Sequence, residues 1–141
     1  MDAGYSGTPL AQKLGLKDGQ RVGFAGLPPA QRALLTARAY AAVENVADWQ
    51  ELSAGPHDYL HLFTDSADCV DAATDGLKDR LAQDGMIWMS WPKKASKVPT
   101  DVTEDVVRTR ALQGVLVDVK VCAVDDIWSG LKLVIRKEHR Q

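Results

Sequence analysis

The densest run of chemically able side chains is Ser90-Trp91-Pro92-Lys93-Lys94-Ala95-Ser96-Lys97. It gathers hydroxyls, an indole face and three ammonium groups, a set that would hold a planar or phosphorylated anion. Thr100 follows, just ahead of Asp101-Val102-Thr103-Glu104, which has the form of a capping box. The N–H groups of a helix start favour anions. A second group lies near the end of the chain, where Asp125, Trp128, Ser129 and Lys132 add a carboxylate, an indole, a hydroxyl and an amine. The candidate ligand-binding residues are therefore Ser90, Trp91, Lys93, Lys94, Thr100, Asp125, Trp128, Ser129 and Lys132.

Candidates for bond-making chemistry are absent from the motif inventory. There is no GxSxG elbow, no GxxxxGK[ST] loop and no HExxH pair. Cys69 and Cys122 form no CxxC, and no His/Cys cluster has metal spacing, so no metal is expected. Asp68, Asp71, Asp75 and Asp79 read as one solvated helix face. His57 follows Pro56 and reads as exposed. His61 reads as a satisfied sheet-edge histidine or a proton carrier. Trp88, mid-strand, reads as core.

Elements must bring these groups together. Thr8 and Pro9 start a short helix through Leu14, stopped by Gly15, so residues 1–18 form an arm and a short helix. Arg21–Ala25 reads as a buried strand. Residues 30–42, rich in Ala, Leu and Arg, read as a helix with Leu34, Leu35, Arg38 and Ala42 inward. Residues 43–46 read as a short strand or a helix extension. Tyr59–Phe63 is a strand. Residues 65–83 are an amphipathic helix on Val70, Ala73, Leu77 and Leu81. Met86–Trp91 is a strand with both faces covered. A helix runs to about Gln113, and 117–124 with 131–136 make a closing hairpin.

Strands alternating with helices, then a hairpin, predict an α/β three-layer Rossmann-like sandwich over residues 1–141. Its sheet is mostly parallel and ends in an antiparallel C-terminal hairpin. Ligands of such sheets bind outside the carboxyl ends of the strands, where Gly26–Pro29, Thr64–Ser66, Ser90–Lys97 and Asp125–Gly130 should meet.

The 141 residues are 45% hydrophobic and 26% charged, which suits one domain with its own core. Lys+Arg 17 against Asp+Glu 19 gives a net charge of −2, which argues against a nucleic-acid partner. No apolar run reaches the ~20 residues of a membrane helix, and no signal-type segment opens the chain, so the expectation is a cytoplasmic protein away from membranes. The last strand offers an edge for a homodimer, although Lys132 and Arg136 are typical edge protectors.

The segments GYSGTPLAQKLGLKDGQRV, WPKKAS, TDVTEDVVR and VDVKVCAVDDIWSGLKLVIR resemble a bacterial family, domain of unknown function 3052, over nearly the whole chain. That family brings no activity to transfer. The layout also resembles, more distantly, a shortened class I methyltransferase. His57-Asp58-Tyr59-Leu60 is similar to the start of that fold's fourth strand. The resemblance implies a glycine turn after the first strand cradling S-adenosylmethionine, and an acid on the second strand, here Glu44, holding the ribose. The turn reads Gly23-Phe24-Ala25-Gly26-Leu27-Pro28-Pro29 rather than GxGxG, and two prolines stand where N–H groups would meet the cofactor. The expectation is therefore no S-adenosylmethionine and a non-catalytic or regulatory module. It would bind a small anionic ligand or a protein partner, with an acidic surface, at the carboxyl edge. The alternative is a degenerate S-adenosylmethionine-dependent methyltransferase or another nucleotide-using transferase.

Overall fold

A computed structural model describes residues 9–141; Thr8, the expected cap of the first helix, lies outside the described residues. Helix α1 (Leu10–Lys13) is a single turn, and Leu14 and Leu16 behind it are fully buried. Six strands follow: β1 (Arg21–Ala25), β2 (Ala42–Val46), β3 (His57–Phe63), β4 (Leu81–Pro92), β5 (Leu116–Ala123) and β6 (Trp128–Ile135). They form one sheet in the order β2-β1-β3-β4-β6-β5. β1, β2, β3 and β4 pair in parallel. β6 is the one reversed strand, antiparallel to both β4 and β5. This is the mostly parallel sheet with a closing hairpin that the alternation of elements predicts.

The two faces are covered unequally. Helices α2 (Ala67–Asp79) and α3 (Glu104–Leu112) lie on one face, packing Val70, Ala73, Leu77, Val107 and Ala111 onto Leu60, Leu62, Ile87, Met89, Leu131 and Leu133. The cap hydroxyls of Ser66 and Thr103 accept from the N–H groups of Cys69 and Val106. Among the described residues, the other face carries only α1 and a 3₁₀ segment, Pro29–Thr36, over Val22, Phe24, Tyr59, Phe63 and Trp88. Trp88 is buried there and its Nε1–H donates to Leu14 O at 2.9 Å.

Four expectations are corrected. The helix expected over 30–42 is the 3₁₀ segment Pro29–Thr36, interrupted at Gln31 (φ −106°). The Tyr40 hydroxyl takes the carbonyl of Leu34, and Arg38 those of Ala37 and Leu16, so polar side chains replace the next helical turn. Beyond it, residues 42–46 are strand β2, one of the two readings left open for 43–46. Helix α2 stops at Asp79, and Leu81, counted into its stripe, instead opens β4. His57 is not exposed: it begins β3, buried, and His61 lies on an inner strand rather than an edge.

Candidate functional site

The chain leaves β1 for β2 on one side and returns to β3 on the other, so strand order reverses between β1 and β3. Ligands of open α/β sheets bind at such a reversal, outside the carboxyl ends. Gly26 stands there with φ +73°. Its N–H donates to Val46 O at 3.0 Å, and a Cβ would come within 2.6 Å of Phe63 O. Only glycine lets this turn press against the ends of both β2 and β3. Pro28 and Pro29 follow, without N–H groups to offer. Asp48, exposed, stands two residues past the end of β2, and its carboxylate accepts from Gln50 N–H at 2.9 Å.

The segment after β4 straps across the end of β3. The Thr100 hydroxyl donates to Asp65 O at 2.7 Å, and Ala67 N–H donates to Asp101 Oδ1 at 2.7 Å. The N-terminus of α2 is therefore answered by the protein's own Asp101, and that of α3 by Thr103. The hairpin loop closes the other side. Asp125 accepts from Ile127 N–H and Trp128 N–H, and its second oxygen accepts from Gln31 Nε2 at 2.9 Å. Lys93 N–H donates to Ile127 O at 2.7 Å. Trp128 stands edge-on to Phe63, with ring centroids 5.3 Å apart.

Of the predicted residues, Lys93, Lys94, Thr100, Asp125, Trp128 and Ser129 therefore rim this edge. Ser90 and Trp91 are buried in the two cores. Lys132 is four residues down β6, opposite Trp88, away from the edge.

Two histidines carry polar networks. His61 is fully buried, with Tyr59 Oη 2.8 Å from Nδ1 and Ser90 Oγ 2.7 Å from Nε2, and it stacks on Phe63 at 4.1 Å. Burial pushes its imidazole down to about 3, so the ring is neutral at ordinary pH. Burial also holds the Tyr59 phenol well above its usual range. On the opposite face, His57 Nδ1 lies 3.0 Å from Arg80 O and Nε2 lies 3.1 Å from Glu44 Oε2. Ser53 donates to Glu44 through both its N–H and its hydroxyl. Partial burial raises the Glu44 carboxyl, but the bonds from Ser53 and His57 outweigh it, and its pKa falls below the usual value. Glu44 is thus committed to a staple between β2 and β3 rather than to the carboxyl edge, which corrects its reading as the ribose acid. Past the end of β2 the acid nearest that edge is Asp48, whose carboxylate also caps the turn Trp49–Glu51. Its signal was spacing: it lies about twenty residues after Gly26, the interval of dinucleotide folds.

A shallow groove of about 390 Å³ separates α2 from α3. Its Arg110 is answered by Asp71 at 2.7 Å and Asp75 at 3.1 Å. Among the described residues no cluster of His, Cys, Asp or Glu has the arrangement of a metal site. Among the described residues no helix is long and apolar enough to cross a membrane.

No family model matches the chain, and no curated protein matches it in sequence. The resemblance to domain of unknown function 3052 gains no support from either comparison. Solved structures do match. The magnesium protoporphyrin IX methyltransferase of Synechocystis PCC 6803, with bound SAH, superposes with a TM-score of 0.64 at 12% identity, over 84% of this chain and 75% of that one. The tRNA methyltransferase TrmK of B. subtilis gives 0.60 at 8% identity, over 90% and 64%. Fibrillarin of Aeropyrum pernix, with natively bound S-adenosyl-L-methionine, gives 0.55 at 16%, over 89% and 73%.

At these identities the likeness shows the fold: a Rossmann-like sheet of methyltransferase type. It corrects two expectations. The argument against S-adenosylmethionine rested on the altered turn after β1 and the short interval from Gly26 to Asp58, and the non-catalytic module on the meeting of Ser90–Lys97 with Asp125–Lys132. Chains that share this sheet hold S-adenosyl compounds, and the methyltransferase alternative is the better supported reading.

Proposed function

We propose that this chain is a shortened, degenerate methyltransferase that binds an S-adenosyl compound at the carboxyl ends of β1, β2 and β3. The observation that carries the reading is Asp48, an exposed carboxylate just past β2, beside the strand-order reversal at Gly26. A carboxylate there suits the two hydroxyls of a ribose, to which it can only accept. Gly26 leaves the edge without a side chain over it. These features fit the adenosine end of the cofactor. The fit is poorer at its amino-acid end, where Pro28 and Pro29 withdraw backbone donors. Bound there, the cofactor would supply a methyl group activated for transfer to a nucleophile.

The chain's own groups would divide the edge. Gly26, Leu27 and Asp48 would border the cofactor. Lys93, Lys94, Thr100, Asp125, Trp128 and Ser129 would border the acceptor. The Asp101 strap and the Asp125–Gln31 bond would keep that rim shaped.

Isothermal titration tests the reading. S-adenosylmethionine and S-adenosylhomocysteine should both give saturable heat. Asp48→Asn keeps a capping acceptor for residues 49–51 but removes the charge, and should weaken binding about tenfold. Absence of heat with either compound at millimolar concentration, from folded protein, overturns it.

A further inference from the structure

Lys120 and Lys132, on two neighbouring strands, and Lys17, just after α1, belong to the thinly covered face. Lys120 and Lys132 are directly opposite one another on β5 and β6. Lys132 alternates with Leu131 and Leu133, which are buried in the core beneath α2 and α3, so its amine is on the other side. Lys17 follows Leu16, which is packed into the cluster under that same side. Like charges directly opposite on an antiparallel pair are destabilising. Lys132 is also half-buried, and its pKa is lowered by that burial and by the charges of Lys120 and Lys17.

Among the described residues no carboxylate bridges any of the three. The nearest in sequence, Asp18, accepts from Ala39 N–H at 2.8 Å. Asp118, one strand position before the bulge, is paired with Arg108 at 3.0 Å. Edge protection accounts for Lys120, which lies on the outer strand. It accounts for neither Lys132, on the inner strand β6, nor Lys17, outside the sheet.

We infer that these three lysines form an anion site for a phosphate-bearing small molecule, separate from the carboxyl edge. Lys132 is four residues from Trp128, about 13 Å along the strand from that edge. A multiply charged phosphate would offset a repulsion among ammonium groups that no carboxylate of the described residues answers.

The probe is inorganic pyrophosphate, titrated into the whole chain at ionic strength held constant with chloride, because exposed charges are screened. Saturable binding is expected, weakened about tenfold in Lys132→Gln and again in Lys120→Gln, and unchanged in Lys137→Gln, an exposed lysine elsewhere. Without pyrophosphate, Lys132→Gln and Lys120→Gln should melt at or above the temperature of the unaltered chain, since each removes a repulsion. No saturable binding overturns the proposal. So does binding untouched by both substitutions, or a lower melting temperature in both, which would make the lysines structural. S-adenosylmethionine binding at the other edge should be insensitive to all three variants, so the two readings fail separately.

Discussion

The two faces of the sheet solve the same burial problem differently. Beneath α2 and α3 the core is aliphatic, built from Leu60, Leu62, Leu77, Ile87, Leu131 and Leu133. Beneath α1 and Pro29–Thr36 it is aromatic, with Phe24, Tyr59, Phe63, Trp88 and the His61 ring. Long helices supply area by repetition along one stripe. Short segments cannot, so the strands themselves supply bulk from large rings. Rings with polar edges need partners, which is why this face also holds Trp88 against Leu14 O and His61 between Tyr59 and Ser90. The thin face is thus the more polar inside, and its stability depends on fewer, larger groups.

Substitution can break that contrast. Trp88→Ala should cost about 3–5 kcal/mol, and Leu77→Ala about 2–5, by urea denaturation. Trp88 should stand at the top of this range, because its loss also strips Leu14 O of a donor. Equal losses would mean that the thin face collapses as readily as the thick one.

Acid separates the faces further. In the folded chain His61 stays neutral down to about pH 3, whereas an unfolded histidine takes a proton below about 6.5. The unfolded state then binds more protons, so stability falls as pH drops from about 6.5 toward 3, by about 1.4 kcal/mol per unit. His61→Gln should flatten that slope, measured as urea midpoints across the range. On the thick face Ser66→Ala removes the α2 cap and should cost about 1 kcal/mol. Arg110→Gln breaks bonds only to exposed Asp71 and Asp75 and should cost under about 1 kcal/mol.

The same contrast decided what could be read from the chain alone. Val70, Ala73 and Leu77 repeat at helical spacing, and α2 is where that stripe lies. The stripe ran one residue too far because Leu81 keeps the period, although the backbone leaves the helix at Arg80 and Leu81 begins β4. On the thin face propensity misled. Ala, Leu and Arg over 30–42 favour a helix, yet tertiary bonds from Tyr40 and Arg38 to local carbonyls hold a 3₁₀ segment and release residues 42–46 to pair with β1. At the carboxyl edge, Lys93, Lys94, Thr100 and Asp125 were legible because loops after parallel strands gather there. Asp48 was not, since its neighbour Glu44 had the stronger claim until its bonds to Ser53 and His57 were visible.

The reversed strand β6 has a consequence in time. It is the last of the six described strands, yet it lies between β4 and β5. Until residues 128–135 leave the ribosome, β5 has nothing to pair with and β4 presents a bare edge through Trp88 and Ser90. Synthesis therefore holds this side of the sheet open until β6 emerges. The hairpin acts as the closing stitch, inserting β6 between β4 and β5 and joining them in one sheet.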